Sequence, residues 1–352
     1  MADHLGMATQ LAGNAVRFGW YSGINWLAGR APSRARGVGA GEQEARYVPE
    51  RPVPPRAELM ADLRDLFRRD AELVRDGLAA ADGGEPAAGL IDHMTRLGVM
   101  FRDLPDAAKR RRSRDATTVT TLAAEAGVPD YFAQDFHFQK GGYLGEESAR
   151  IYDVQVETLF YGSAAAMRRE ALRPIWSHLE GRDQRGACLL DVACGTGRLL
   201  REIRLAFPGL RLAGIDLSPA YIEEAKRHLR GLRPVNLSAA NAETLPFADA
   251  SQDIVTTVFL FHELPPDVRR TVAGEMARVL KPGGLLVFID SLQMGDRPGW
   301  DGLLEAFPHR FHEPYYRHYA IDDLDAVFTA AGLAAVSWWP SFLSKVIVRR
   351  KV

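Results

Sequence analysis

The chain has 352 residues, of which 47% are hydrophobic and 25% are charged, so its composition is that of a globular protein. A length well above that of one typical domain predicts two structural parts. The formal net charge of −1 argues against a nucleic acid as the general partner. The two cysteines, Cys188 and Cys194, lie at opposite ends of one predicted strand, so no disulfide is expected between them, and two buried thiols suit a reducing cytoplasm.

In the N-terminal segment, residues 5–27, Arg17 is the only charged residue and aromatic residues cluster. The segment lacks the basic and apolar regions of a signal peptide, and its amides and glycines make it too polar for a membrane-spanning helix. We expect it to pack on its own protein or on a second subunit. The alternative is peripheral contact with a membrane, with the aromatic rings at the headgroups and Arg30, Arg34 and Arg36 behind them.

Residues 1–55 are predicted to comprise this apolar segment and a linker rich in Gly, Pro and Arg from Ala31 to Pro55. A helical cap domain is predicted over residues 56–145, where apolar residues recur on one helical face. Pro105 follows the second of its helices, and the basic run from Lys109 to Arg112 is expected on a solvated helix face. The first predicted helix of this domain starts at Ala57, the second runs from Gly89 to Asp103, and the third runs from Thr118 to Ala126.

An aromatic stretch, YFAQDFHFQKGGY, runs from Tyr131 to Tyr143 and has no helical or strand period. A non-repetitive loop just before an α/β domain is either a lid or substrate wall, or a plug in the core beneath the N-terminal helices. A long helix is then predicted from Glu146 to Phe160, with an extension to His178 after a break at Gly162.

The third predicted part, residues 146–352, alternates strands and helices in the manner of a doubly wound parallel sheet. Its first strand leads into the stretch LLDVACGTGRLL, from Leu189 to Leu200. Gly195 and Gly197 allow the backbone to turn sharply and to approach a ligand closely. A strand that passes through glycines into the N-terminus of a helix is typical of a site for a nucleoside cofactor.

The residues around these glycines discriminate between cofactors. A dinucleotide-binding fingerprint requires a third glycine where the chain has Leu200, which disfavours a nicotinamide oxidoreductase. The carboxylate of Asp191, before the turn, suits the ammonium group of an amino acid better than a pyrophosphate. Asp216 ends the next strand and can accept hydrogen bonds from two ribose hydroxyls. The alternative is that Asp216 or Ser218 only caps the helix that begins at Pro219.

These features match motif I of the class I S-adenosylmethionine-dependent methyltransferases, and the chain resembles that family from about residue 150 to its end. The stretches NAETLPF, from Asn241 to Phe247, and ARVLKPGG, which ends in a tight turn from Lys281 to Gly284, are further traits of the family. The core motifs are nearest to those of the C-methyltransferases of ubiquinone and menaquinone biosynthesis.

The resemblance implies an α/β fold, a doubly wound Rossmann-like sheet of seven strands in the order 3-2-1-4-5-7-6 with the last strand antiparallel, preceded by the N-terminal helical extension. The strands are predicted at Ala187–Val192, Arg211–Ile215, from Asn236, at Asp253–Phe259, at Leu285–Asp290 and in a closing hairpin of LAAVSWW and SKVIVRR. The segment between strand five and that hairpin reads as irregular, apart from a short helix from Asp322 to Ala331.

The resemblance also implies S-adenosylmethionine as the cofactor, bound at the carboxyl edge of the sheet. The carbonyl of Asn241 is expected to accept from the adenine amino group, and the amide of Ala242 to reach a ring nitrogen. The predicted cofactor-binding residues are Asp191, Ala193, Gly195, Thr196, Gly197, Asp216, Leu217, Asn241, Ala242, Glu243 and Phe259.

A general base is needed only where the acceptor is protonated and weakly acidic. His262 is the first candidate because it follows strand four; the alternative is a structural histidine on a loop. The predicted catalytic set is His262, Glu263 and Tyr143. Further candidates for the base are Asp290, Gln293, His309, His312, Glu313, Tyr315 and Tyr316.

No metal site is predicted. The set His309, His312 and Glu313 has suitable ligand types, but Pro308 and Pro314 favour an irregular loop over a preformed set of ligands.

We therefore predict methyl transfer to a small lipophilic or aromatic acceptor, quinone-like or another lipid or secondary metabolite. The aromatic stretch and the apolar N-terminus favour such an acceptor over a protein or a nucleic acid. The alternatives are a methyltransferase for an N- or O-nucleophile of a different small molecule, and an inactive cofactor-binding assembly protein. The protein is expected in the cytoplasm. Two questions stay open: whether residues 5–27 contact a membrane, and whether the protein forms a homo-oligomer.

Overall fold

The computed structural model describes residues 2–28, 47–81, 89–113, 119, 123, 127–136 and 141–352. Its helices are α1 (His4–Ala28), α2 (Arg56–Arg75), α3 (Gly89–Ser113), α4 (Glu146–Leu159), α5 (Ala164–Arg169), α6 (Leu172–Leu179), α7 (Arg198–Ala206), α8 (Pro219–His228), α9 (Pro266–Val279), α10 (Asp301–Arg310), α11 (Tyr316–Tyr319) and α12 (Leu324–Ala330). Its strands are β1 (Cys188–Val192), β2 (Arg211–Asp216), β3 (Asn236–Ala239), β4 (Gln252–Val258), β5 (Leu280–Ser291), β6 (Leu333–Ser341) and β7 (Ser344–Lys351).

In the described residues, the strands form a seven-stranded sheet in the order β3-β2-β1-β4-β5-β7-β6, which confirms the predicted fold class and strand order. β1 pairs in parallel with both β2 and β4, whereas β7 runs antiparallel to β5 and β6. The carboxyl ends of β1 to β5 therefore meet at one edge of the sheet, and the predicted cofactor-binding residues follow those ends.

Successive residues of β1 enter two different hydrophobic cores. Leu189 is fully buried with residues of α6, α7 and α8, and Leu190 is fully buried with residues of α9 and α12. Because side chains alternate between the faces of a strand, a continuous apolar run requires helices on both faces of the sheet. This doubly covered sheet holds the carboxyl edge rigidly in place.

The N-terminal helices pack against the sheet-bearing part through a buried polar cluster. Arg169 donates two hydrogen bonds to the carboxylate of Asp70, at 2.6 and 2.7 Å, and both side chains are fully buried. The amides of Gln10 and Asn14 in α1 donate to the same carboxylate at 2.8 and 2.7 Å. The expectation that residues 5–27 pack on their own protein is thus confirmed for this face of α1.

The opposite face of α1 stays exposed. Leu5, Val16 and Trp26 are 80%, 72% and 56% accessible to solvent. Among the helices in the described parts of the chain, none combines the length and the apolar character needed to cross a membrane.

The structure corrects the predicted end of the second cap helix. α3 continues through Pro105 to Ser113, because a proline removes a single backbone donor and need not end a helix. The predicted third helix, Thr118 to Ala126, lies almost wholly outside the described residues, as does the linker as far as residue 46. The domain boundaries at residues 55 and 145 stay predictions.

Three predictions for the C-terminal part are also corrected. Residues 281–284 do not precede β5 but bulge out of it, since Gln252 pairs with Leu280 and Ile254 pairs with Leu285. The segment after β5 is not irregular throughout, because it contains α10 and α11. The next helix, α12, is capped one residue later than predicted, by the side chain of Asp323.

Candidate functional site

The glycine turn after β1 creates an open space at the edge of the sheet. Ala193, Gly195 and Gly197 all have positive φ angles, of 57°, 55° and 76°. A Cβ atom on Gly195 would meet no other atom within 4 Å, whereas one on Gly197 would lie 3.2 Å from the Cβ of Ala225. Gly195 therefore leaves room for a ligand, and Gly197 allows α7 and α8 to pack closely.

Asp216 at the end of β2 points toward this turn. Its two carboxylate oxygens accept hydrogen bonds from the backbone amides of Gly195 and Ser218, each at 2.9 Å. The Oγ atom of Ser218, not Asp216, caps α8 by accepting from the amide of Tyr221. Each oxygen of Asp216 retains a lone pair for a ligand hydroxyl. Burial raises the pKa of Asp216 to about 6.

The turn after β3 is held by its own side chains. Asn241 Oδ1 accepts the amide of Glu243 at 2.9 Å, and its Nδ2 donates to Glu243 Oε1 at 3.2 Å. Glu243 Oε1 also accepts a hydrogen bond from the hydroxyl of Tyr131 at 2.7 Å. Burial and this bond raise the pKa of Tyr131. Glu243 thus anchors the aromatic stretch to the edge of the sheet.

Aromatic rings form the wall opposite the glycine turn. Tyr143 stacks on Phe136 with ring centroids 5.0 Å apart, and it meets Tyr152 and Tyr221 edge-on at 6.1 and 5.7 Å. Its hydroxyl donates to Glu263 Oε1 at 2.6 Å. Of the two interpretations of the aromatic stretch, the described residues support the wall of a site. Residues 137–140 of that stretch lie outside them.

Between the turn and the wall is a cavity of about 810 Å³, a volume that includes space open to solvent. Nine of the residues predicted as cofactor-binding or catalytic line it: Tyr143, Ala193, Gly195, Asp216, Leu217, Asn241, Ala242, Phe259 and Glu263. Tyr131, Phe132 and Phe136 of the aromatic stretch line it as well, together with Tyr152 of α4. Most of the lining is apolar, so the cavity places apolar surface beside the carboxylates of Asp216 and Glu263.

Five predicted residues support the cavity from behind and are not among the residues that line it: Asp191, Thr196, Gly197, Glu243 and His262. Asp191 is 2% exposed, and its Oδ1 accepts the hydroxyl of Thr256 at 2.7 Å. Burial, with the nearby charge of Asp216, raises the pKa of Asp191 to about 7. The predicted contact of Asp191 with an ammonium group stays a prediction.

Thr196 is part of a clamp that the sequence did not reveal. Its hydroxyl donates to Asp153 Oδ1 at 2.7 Å, and Arg198 Nε donates to Asp153 Oδ2 at 2.8 Å. Burial alone would raise the pKa of Asp153, but the charge of Arg198 helps to hold it at about 2. These two hydrogen bonds to Asp153 hold α4 against the glycine turn.

His262 belongs to a buried cluster with carboxylates. Its Nδ1 lies 2.5 Å from Asp290 Oδ1, and its Nε2 lies 3.6 Å from Glu263 Oε1. Asp290 is positioned in turn by the backbone amides of Phe261 and Ser291, each at 2.7 Å. Burial opposes the charged imidazolium, but Asp290 and Glu263 outweigh it and raise the pKa of His262 to about 10. These carboxylates thus favour the protonated imidazole over the neutral form that a general base requires.

The later base candidates are separated by the fold. His309 stacks on Tyr47 at 3.6 Å, and His312 Nε2 lies 3.0 Å from Gln134 Oε1. Gln293 donates to the backbone carbonyls of Tyr319 and Asp322. Glu313 is 4% exposed and joins the cluster around His262, where burial raises its pKa to about 7.

The cavity wall also contains residues that sequence reasoning missed: Tyr221, Leu260, Leu264 and Val272. Tyr221 lies in the first turn of α8, directly after the carboxylate of Asp216, and that position is the signal that could have identified it.

Residues 189–284 match the family described as a methyltransferase domain. The chain therefore carries a methyltransferase domain over these residues. Its cofactor is S-adenosylmethionine, and the space beside Gly195 and the free lone pairs of Asp216 fit a nucleoside bound at the edge of the sheet.

The methyltransferase domain is similar to curated relatives. Over 99 residues, or 28% of this chain and 34% of the relative, it is 40% identical to a malonyl-[acyl-carrier protein] O-methyltransferase of Hahella chejuensis. Over 146 residues, or 41% of this chain and 62% of the relative, it is 36% identical to a demethylmenaquinone methyltransferase of Thermus thermophilus. The chain thus spans about a third and about three fifths of the lengths of these two relatives.

Among solved structures, human N-acetylserotonin methyltransferase in complex with S-adenosylmethionine matches with a TM-score of 0.48 and 17% sequence identity. The match covers 74% of this chain and 70% of that one.

Proposed function

We propose that this protein transfers the methyl group of S-adenosylmethionine to a small lipophilic or aromatic acceptor, quinone-like or another lipid or secondary metabolite. One observation carries the proposal: a single cavity joins the cofactor-binding edge, at Gly195 and Asp216, to a wall of aromatic rings around Tyr143. An acceptor bound against that wall lies next to the cofactor without crossing an open polar groove.

The chemistry requires orientation and exclusion of water more than a nucleophilic side chain. When bound, S-adenosylmethionine supplies an electrophilic methyl group on a positively charged sulfur. Gly195 and Asp216 would hold the cofactor, whose methyl group would pass to the acceptor atom as the carbon–sulfur bond breaks. A proton released by an acceptor hydroxyl would pass to Glu263. Holding the reacting atoms in line contributes about 7–11 kcal/mol to lowering the barrier. The apolar lining favours a step in which charge disappears.

Within this scheme Tyr143 and Glu263 are the catalytic residues we propose, because both line the cavity and share a hydrogen bond of 2.6 Å. Glu263 is the acidic group that an acceptor hydroxyl can reach, and Tyr143 fixes its orientation. His262 lies behind Glu263 and acts as a positioning residue. A Tyr143→Phe variant is expected to lower kcat while the affinity for the cofactor stays nearly unchanged.

The relatives support two classes of acceptor. Similarity to a demethylmenaquinone methyltransferase supports a quinone-like ring as the acceptor. Similarity to a malonyl-[acyl-carrier protein] O-methyltransferase supports the alternative, an oxygen nucleophile on a different small molecule. The stacked rings of Phe136 and Tyr143 favour the planar, aromatic acceptor.

We also propose that the exposed face of α1 contacts a lipid surface, where a lipophilic acceptor would be found. Trp20 and Trp26 are 43% and 56% exposed on this helix, beside the exposed Val16. Tryptophan is favoured at the headgroup level of a bilayer. Flotation of the protein with phosphatidylglycerol vesicles, and its loss in a Val16→Ser, Trp26→Ser variant, tests this. Dimers without vesicle binding would show that a second copy covers the face instead.

The function is tested by transfer of a labelled methyl group from S-adenosylmethionine into a lipid extract, followed by identification of the labelled product. We expect one labelled, apolar product whose formation depends on the protein. Tight cofactor binding without any product across lipid and polar extracts would instead support an inactive assembly protein. A labelled protein or nucleic acid would contradict the proposed acceptor class.

A further inference from the structure

The fold brings together three possible metal ligands from distant parts of the sequence. His262 and Glu263 lie in the turn after β4, and Glu313 lies between α10 and α11. One ring nitrogen and one carboxylate oxygen from each glutamate all lie within 4.8 Å of one another. The side chains of His262 and Glu263 are 10% and 11% exposed, and Glu313 is 4% exposed.

The orientation of His262 is a second, independent observation. Its Nδ1 is engaged by Asp290 at 2.5 Å, which leaves the other ring nitrogen, Nε2, on the side of Glu263. Within the described part of the chain Nε2 makes no hydrogen bond, and its 3.6 Å separation from Glu263 Oε1 is too long for one. Two ligand atoms each about 2.1 Å from a shared ion lie roughly 3.0–3.5 Å apart. A carboxylate behind the non-ligating nitrogen is the usual second partner of a metal-bound histidine.

The charges of the cluster point the same way. Glu263, Glu313 and Asp290 place three carboxylates around one imidazole in a buried space. Arg269 is fully buried, and its guanidinium donates hydrogen bonds to Asp322 and to the carbonyl oxygen of Phe261. A divalent cation bound at Nε2 would displace the proton of the imidazole and take over the neutralisation of these carboxylates.

We propose that His262, Glu263 and Glu313 bind one divalent transition-metal ion beside the cavity. One imidazole nitrogen and two carboxylate oxygens suit Mn²⁺, Fe²⁺ or Zn²⁺ better than Mg²⁺, which prefers oxygen ligands only. Since Glu263 also lines the cavity, an ion held by it would lie within reach of an oxygen of the acceptor. That role rests on the proposed methyl transfer, whereas binding of the ion does not.

Residue spacing along the chain did not predict this set of ligands. The histidines nearest to Glu313 along the chain, His309 and His312, contact Tyr47 and Gln134 instead. Only the packing of the later segment over the end of β4 brings Glu313 to His262.

The test is titration of the full-length, chelator-treated protein with Mn²⁺ and with Zn²⁺, followed by calorimetry and, for Mn²⁺, by electron paramagnetic resonance. We expect one ion per chain. Glu313→Gln and His262→Gln should weaken binding tenfold or more, because each removes one ligand. Glu180→Gln, a change of the same type at an exposed site, is the matched control and should bind like the wild type. Circular dichroism checks that each variant is folded, and Glu263→Gln provides a further variant should one fail.

Absence of saturable binding at micromolar ion concentrations would overturn the proposal, as would variants that bind as tightly as the wild type. Affinity for S-adenosylmethionine and methyl transfer are measured on the same samples. Methyl transfer without metal binding overturns the metal site alone, and metal binding without methyl transfer overturns the proposed function alone.

Discussion

Replacing Asp216 by asparagine tests the assignment of the cofactor site most directly. Each carboxylate oxygen already accepts one backbone amide, from Gly195 or Ser218, and retains one lone pair for a ribose hydroxyl. Two charge-assisted hydrogen bonds are therefore available. Asparagine removes the charge and one acceptor oxygen, which should weaken cofactor binding by about 1.5–4 kcal/mol. That range corresponds to a rise in Kd of about tenfold to a thousandfold.

Isothermal titration calorimetry with S-adenosylmethionine measures this change. The control is Asp253→Asn, which alters another strand-end aspartate that accepts a backbone amide, from Cys188 at 2.9 Å, but at the opposite edge of the sheet. It should leave the cofactor affinity unchanged. An Asp216→Asn variant that folds and binds within twofold of the wild type would refute the ribose assignment.

The same residue predicts a pH dependence. Burial raises the pKa of Asp216 to about 6, and only the ionised carboxylate makes charge-assisted bonds. The affinity of the wild type should therefore decrease as the pH falls through about 6, whereas that of Asp216→Asn should change less. Equal pH profiles for the two proteins would show that Asp216 does not contact the cofactor.

Three further predictions concern stability. Burial raises the pKa of Asp191 to about 7, so between about pH 4 and 7 the folded protein keeps a proton on this carboxyl that the unfolded chain has lost. The free energy of unfolding should therefore fall as the pH rises across that window. Asp191→Asn should flatten this pH dependence, measured by urea unfolding at pH 5 and pH 8. Asp70→Asn leaves Arg169 buried without its full counter-charge and should lower the free energy of unfolding by about 3–5 kcal/mol. Gly197→Ala should mainly lower the melting temperature, because its Cβ would press on α8, whereas Gly195→Ala should mainly weaken cofactor binding, because its Cβ enters open space in the cavity.

Each of these predictions has a matched comparison. An unchanged pH slope in Asp191→Asn would contradict its raised pKa. Asp65→Asn removes an exposed partner of Arg68 and should cost at most about 1 kcal/mol, so a loss as large as that for Asp70→Asn would remove burial as the explanation. The two glycine variants control for each other, since both have positive φ angles and only the surroundings differ.

Local patterns in the sequence predicted the sheet and one side of the cavity. The glycines after β1 and the carboxylate at the end of β2 are encoded within single strand–turn units, and such units have one preferred geometry. Gly195, Asp216 and Asn241 were therefore predicted by position and do line the cavity. The same short-range logic does not extend to residues whose neighbours are supplied by another part of the chain.

The other side of the site depends on such distant neighbours. Asp153 contacts Thr196 and Arg198 only because α4 crosses the glycine turn. Glu313 reaches His262 only because the segment after β5 folds back over the end of β4. Ligand spacing along the chain detects sites within one element, and near Glu313 it offered only His309 and His312, which contact Tyr47 and Gln134 instead. His262, selected for its position alone, proves to be surrounded by acids that favour its charged form.

The N-terminal helix shows how a composition that excludes one role can encode another. Gln10 and Asn14 argued against a membrane-spanning helix because their amides would be unsatisfied in lipid. In the fold these two amides complete the hydrogen bonds of Asp70, whose charge is already paired with Arg169. A buried carboxylate requires several donors, and one arginine cannot supply all of them. Gln10 and Asn14 thus serve as hydrogen-bond donors to a carboxylate that lies 56 to 60 residues away along the chain. The sequence of α1 alone could not predict this interaction.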